Sequence, residues 1–215
     1  MFRSTFEKIN PRHGKANFLT RIAIPLLMGF LLVSTVSADV IHDESSDGDL
    51  SDNNLDPTAL LFDVGSNQII GSTTFDPLDR DFWTFEIGAN QQLDSILLQT
   101  YDTTEDQSFF AVGLGPQIAS TTDASGLLGS SLIGSATGRQ VGDDVLDDLG
   151  NATLGGSGFA GPLGPGQYTF WFQETAADTN YAFEFNISSS VPEPTSVVFL
   201  GWGGALLLLR RRRNA

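Results

Sequence analysis

Over the last part of the chain before its C-terminal tail, apolar and polar residues alternate one by one. Tyr168, Phe170 and Phe172 alternate with Thr169, Trp171 and Gln173; then Tyr181, Phe183, Phe185 and Ile187 alternate with Ala182, Glu184 and Asn186. A period of two puts each set on its own face of a strand, so both runs are predicted strands. Asp178-Thr179-Asn180 between them reads as a hairpin turn. Upstream, Phe82 to Ile87 sets Trp83, Phe85 and Ile87 against Thr84 and Glu86, and Gly88-Ala89-Asn90 ends the run. Leu93 to Tyr101 and Phe109 to Leu114 are further strands, the second stopped by Gly115-Pro116. Thr58 to Val64 and Gln68 to Ser72 complete the set, separated by the turn signal Gly65-Ser66-Asn67. Thr121 to Asn151 reads as a looser insert with a helical turn over Asp143 to Leu149, and Gly155-Gly156-Ser157-Gly158 as a hinge. No long apolar stripe at helical spacing appears. The pattern predicts an all-β domain over residues 57–190, an antiparallel β-sandwich with its aromatic faces in the core. Trp171 faces away from Tyr168 and Phe172, so it is expected at the surface or in a second packing layer.

The two ends break this pattern. Residues 1–38 read as a secretory signal helix: basic residues come first, Ile22 to Val33 are apolar, and Val36 and Ala38 are small residues placed for cleavage after Ala38. That apolar core is too short for a membrane anchor. At the other end, residues 191–215 hold Pro192-Glu193-Pro194, the apolar run 197–209 and the arginine cluster 210–213. The run predicts a short hydrophobic helix, shorter than the ~20 residues of a full span. Arg210, Arg211, Arg212 and Arg213 would stay on the cytoplasmic side, leaving the body of the chain outside. The two prolines keep residues 191–194 extended, in a form a protease can reach.

Charge narrows the partners. Between residues 39 and 190 only Arg80 and Arg139 stand against 24 Asp and Glu, a net of −22. Such a surface repels nucleic-acid phosphates and anionic lipid heads, so no nucleic acid is expected as a partner. It suits a cationic or neutral partner, or one bridged by a divalent metal; the same charge also keeps an exported domain soluble. Catalytic parts are scarce. The chain has no cysteine, and beyond residue 38 it has one histidine, His42, and no lysine. Ser-His-Asp, Cys-His and Ser-Lys chemistry therefore lack their components, and a zinc site lacks ligands. Hydrolysis by a carboxylate pair stays formally open, but nothing in the spacing places two acids in one cleft. The expectation is a noncatalytic protein.

Calcium is the cofactor that the acidic residues suit. Asp47, Asp49 and Asp52 form D-x-D-x-x-D, with Asp56 close behind, and hard oxygen ligands at such spacing fit Ca²⁺. Asp76, Asp79 and Asp81 form a second cluster before a strand, and Asp143, Asp144, Asp147 and Asp148 a third. Each also reads as a solvated acidic loop, and residues 39–56 as a whole read as a flexible acidic leader.

Two resemblances follow from these residues. Pro192-Glu193-Pro194, the glycine-containing apolar run and Arg210 to Arg213 together resemble the PEP-CTERM sorting signal of exported bacterial proteins. That resemblance implies an exosortase-type processing enzyme as partner and transient inner-membrane anchoring through the C-terminal segment. Release to the envelope, surface or extracellular matrix would follow, in company with extracellular polysaccharide. Separately, DGDLSDNNLDPTALLFDVGSNQIIGS, DRDFWTFEIGANQQLDSILLQTYD and GPLGPGQYTFWFQETAADTNYAFEFNI resemble the pre-peptidase C-terminal (PPC-like) domain across residues 48–187. This second resemblance implies a jelly-roll-like sandwich, generally a noncatalytic appendage tied to secretion, adhesion or substrate binding. No peptidase domain precedes it in this sequence. Taken together, the expectation is a structural or adhesive surface protein, or alternatively a calcium-dependent carbohydrate-binding or adhesion module.

Overall fold

Two β-sheets lie face to face with an aromatic core between them. The structure, a computed structural model, describes residues 37–138 and 140–189. Within these, one sheet has the strand order β1 (Asp39–Asp43), β3 (Gly65–Thr73), β9 (Thr179–Ser189), β5 (Gln91–Thr103). The other has the order β2 (Thr58–Ala59), β4 (Arg80–Ile87), β8 (Gly166–Gln173), β6 (Ser108–Leu114), β7 (Leu127–Ile133). Two short helices, α1 (Glu44–Asp47) and α2 (Leu146–Asn151), sit in the connections. The predicted signal helix and the C-terminal hydrophobic helix lie outside the described residues, as do Pro192 to Pro194 and Arg210 to Arg213. Among the described residues no helix is long and apolar enough to cross a membrane.

The predicted β-sandwich is present, but its sheets are mixed rather than antiparallel. β1 runs parallel to β3 and β2 parallel to β4, each at a sheet edge; the other neighbours are antiparallel. Alternation sets which face a side chain takes and is silent on strand direction. The expected hairpin at Asp178-Thr179-Asn180 is not formed either. β8 and β9 belong to different sheets, and the connection between them arches across the sandwich. Their apolar faces meet through the core, with the Phe172 and Tyr181 rings 4.3 Å apart and Phe172 and Phe183 5.5 Å apart. Buried Glu174 holds this arch. Its Oε1 accepts the Thr175 and Ala176 N–H groups at 2.6 and 3.0 Å, and its Oε2 accepts the Ser108 hydroxyl at 2.8 Å. Gly65-Ser66-Asn67, expected as a turn, instead opens β3. Asn67 is buried and closes the preceding loop by accepting Asp63 N–H at 2.9 Å and donating to Asp63 C=O at 2.8 Å.

The core explains the strength of the alternation. Trp83 and Phe85 of β4, Phe110 of β6, Phe170 of β8 and Phe183 and Phe185 of β9 are all at most 2% exposed. Phe85 stacks on Phe170 at 5.4 Å, and Phe110 on Phe183 at 4.6 Å. Each such side chain contributes roughly 1.5–3 kcal/mol by leaving water. The expected second layer exists as well. Trp171 packs with Phe82, Ala111, Ile118 and Leu127 on the outer face of the β4–β8–β6 sheet, and only 5% of it is exposed. Both faces of these strands are therefore covered. The insert 121–151 is ordered through what it covers: β7 lies in it and pairs with β6, and Val145 N–H reaches Ile96 C=O of β5 at 2.8 Å. β7 was not legible because Leu127–Ile133 is rich in Ser and Gly and lacks a sustained alternation.

Candidate metal centre

The acidic segment 39–56, expected as a flexible leader, carries β1 and α1 and is fastened to the sandwich. Leu50 is 2% exposed in the core, and Phe82 N–H donates to Ser51 C=O at 2.9 Å. Arg80 N–H donates to Asp52 Oδ1 at 2.9 Å. These contacts lay the segment against the start of β4. The first acidic cluster of the sequence therefore meets the second.

Five carboxylates converge there. Glu44 opens α1, where Asp43 caps the helix by accepting Ser45 N–H at 3.0 Å and the Ser45 hydroxyl at 2.7 Å. One oxygen from each of Glu44, Asp49 and Asp81 lies within 4.8 Å of the other two, and the same holds for Asp49, Asp52 and Asp79. Oxygens that share one calcium at 2.3–2.6 Å stand at most about 5 Å apart, so each triad has the spacing for a common ion. Asp49 belongs to both. The donor set is all carboxylate oxygen, which selects a hard cation such as Ca²⁺ over zinc.

The two triads differ in surroundings. Asp81 is fully buried; its Oδ2 accepts the Tyr181 hydroxyl at 2.7 Å, while its Oδ1 has no hydrogen-bond partner. Leaving a buried acceptor unpaired costs about 1–3 kcal/mol, which a cation at this point would offset. Asp79 Oδ1 is buried and unpartnered too. Glu44 is better served: Oε1 accepts Leu50 N–H at 3.1 Å, and Oε2 accepts Ser72 N–H at 2.6 Å and its hydroxyl at 3.2 Å. Asp49 and Asp52 are exposed. Burial first, then the Glu44 charge, pushes the Asp81 carboxyl up to about 9. Burial and the adjoining Asp52 carboxylate push Asp79 up to about 7. Glu44 is raised, again by burial, against the pull of its backbone donors. Without a cation the Asp81 carboxyl keeps its proton at neutral pH; a divalent ion would displace it. The Tyr181 hydroxyl is held in line by close packing. Gly71 lies opposite Tyr181 in the β3–β9 register, and a Cβ at Gly71 would stand 2.5 Å from the Tyr181 oxygen.

The other acidic residues take different places. Asp47 and Asp56, expected beside Asp49 and Asp52, are in neither triad, and Asp47 Oδ2 accepts Asp43 N–H at 2.9 Å. Asp76 also stands outside both triads. In the third cluster, Asp144 Oδ1 accepts the Ile96 and Leu146 N–H groups at 2.9 and 3.0 Å, pinning the insert to β5. Glu44 was missed because it lies outside the D-x-D spacing; its only signal is its place in the same acidic run. His42 is buried on β1 and belongs to neither triad. Ala38 directly precedes β1. No protein-family model matches the chain, and no curated protein matches it either.

Proposed function

We propose that this chain is an exported, noncatalytic protein of the cell surface or extracellular matrix, with a jelly-roll-like domain stapled by calcium. Its work is structural or adhesive. The observation that carries this reading is the gathering of Glu44, Asp49 and buried Asp81 in one triad and of Asp49, Asp52 and Asp79 in a second, with one oxygen of Asp81 left without a hydrogen-bond partner. That arrangement favours a calcium-dependent adhesion module over a passive matrix protein, because an ion there ties the N-terminal segment to β4. The signal-like N-terminus and the PEP-CTERM-like tail support export, exosortase-type processing and release after a transient stay in the inner membrane. The burial of His42, the one histidine beyond residue 38, supports a noncatalytic role. The −22 charge of residues 39–190 speaks against nucleic acid as a partner.

Calcium titration of the protein purified from cells expressing the full chain tests the calcium reading. Saturable binding that Asp81→Asn weakens is expected; heat exchange no different from buffer would end it. The mass of the surface-released protein tests the sorting reading. A species that begins at Asp39 and lacks residues beyond roughly Pro194 is expected, and one that retains Arg210 to Arg213 would refute processing.

A further inference from the structure

We propose that residues 39–60 form a detachable strap that closes one edge of both sheets, and that a calcium ion held by Glu44, Asp49 and Asp81 latches it. This rests on the calcium reading above and adds what the ion controls. β1 lies along β3, from Asp39 opposite Asn67 to Asp43 opposite Ile70. The same stretch of chain then crosses to the other sheet. There Ser51 pairs with Phe82, Thr58 with Trp83 and Ala59 with Thr84, and Leu60 N–H donates to Thr84 C=O at 2.9 Å. With this stretch away, β3 and β4 become edge strands, each still paired with an antiparallel neighbour, β9 or β8. The strap can therefore leave without breaking the pairing of any other strands, and the ion decides whether both edges are closed.

The strap's apolar hold is small. Leu50 is its one fully buried apolar side chain, with Leu60 partly buried. Just beyond, Leu61 is 90% exposed, whereas Phe62 stacks on Phe85 at 3.9 Å and Asn67 closes the loop on Asp63, so release ends at Leu61. A segment with few buried apolar contacts, hydrogen-bonded along a sheet edge, opens more readily than the core strands. Carboxylates supply much of the remaining hold. Glu44 accepts Ser72 N–H of β3 at 2.6 Å, and Asp52 accepts Arg80 N–H of β4 at 2.9 Å. The inner triad takes Glu44 and Asp49 from the strap and Asp81 from β4, so an ion there joins the strap to the sheet between β1 and β2. Asp81 is fully buried and its Oδ1 has no hydrogen-bond partner, an unmet demand that a cation fills. The strap carries seven Asp and Glu and no Lys or Arg, so it has no cation of its own to replace the ion.

Hydrogen exchange tests this on the protein purified from cells expressing the full chain, at neutral pH with calcium chloride or with chelator. In chelator, residues 39–60 and the amides that they cover, Ser72 and Phe82 among them, should exchange about tenfold or more faster, while β8 and β9 change much less. Equal acceleration of every strand would mean that the ion holds the whole domain and not the strap. Unchanged exchange over 39–60 with calcium bound would mean that the ion does not hold the strap. Either result overturns this proposal and leaves the calcium reading standing; if calcium does not bind, both fall. Leu50→Ala removes the strap's buried anchor and no carboxylate. Its calcium affinity should fall about tenfold or more, equivalent to ~1.4 kcal/mol, with β8 and β9 still protected, because the ion must then dock a looser strap. Unchanged calcium affinity in this variant would overturn the coupling of ion to strap.

Discussion

In chelator, the stability of this protein should fall steeply as pH rises, and Asp81 should be the main cause. Its carboxyl is pushed from 3.8 in the unfolded chain to about 9 in the folded protein. Between those values the native state holds a proton that the unfolded state has released. The contribution of a raised carboxyl is therefore fully present below the unfolded value and is lost as pH rises toward the folded one. The slope is ~1.4 kcal/mol per pH unit, so pH 5 to 7 removes on the order of 3 kcal/mol through Asp81 alone. Asp79 adds a smaller loss up to about 7, reduced because solvent reaches it. Against a typical total of ~5–15 kcal/mol these losses are large. Asp81→Asn keeps an oxygen for the Tyr181 hydroxyl and removes the titration, so its chelated form should lack the Asp81 slope. Urea unfolding in chelator at pH 5, 6 and 7 measures both slopes. Saturating calcium should flatten the wild-type curve, because the ion binds the ionised carboxylates. A chelated wild type equally stable across this range would refute the reasoning, as would an Asp81→Asn variant that falls just as steeply.

Other outcomes follow from the same geometry. Calcium at a hundred times its Kd should stabilise the protein by about 2.7 kcal/mol, a rise in Tm of roughly 5–11 °C that chelator reverses in a thermal melt. Gly71→Ala drives a Cβ to 2.5 Å from the Tyr181 oxygen; it should cost about 1–3 kcal/mol in denaturant and weaken calcium binding by displacing Tyr181 from Asp81. Glu174→Ala removes the acceptor of the Thr175 and Ala176 N–H groups and leaves the Ser108 hydroxyl only its contact with the Tyr101 hydroxyl; it should cost about 1–3 kcal/mol by the same assay. Ala152 ends α2 at φ +49°, in the left-handed region, so Ala152→Gly should raise stability by about 1 kcal/mol.

Much of the strand content was legible because period two acts within a few residues. Trp83, Phe85, Phe170, Phe183 and Phe185 could be assigned to a core from their alternation alone, and Trp171 to a second layer from its opposite phase. The scarcity of catalytic residue types and the acidity of residues 39–190 were equally plain, since composition needs no fold. The affinity of aspartate clusters for a hard cation could also be read, but not which clusters meet. D-x-D-x-x-D groups Asp47 with Asp49, yet Asp47 turns to Asp43, and Asp49 finds Asp79 and Asp81 on a distant stretch. That meeting depends on Leu50 entering the core and Ser51 pairing with Phe82, contacts set by long-range packing. Strand direction and sheet membership were hidden for the same reason. Two amphipathic strands joined by a short link bury the same faces as a hairpin within one sheet or as an arch between two. Only the competing partners of β8 and β9, namely β4 and β6 in one sheet and β3 and β5 in the other, decide between them. By itself the sequence determined which faces are apolar, which residues are acidic and what chemistry is lacking. The tertiary structure decided which strands pair and which carboxylates share an ion, because both depend on groups far apart in the chain.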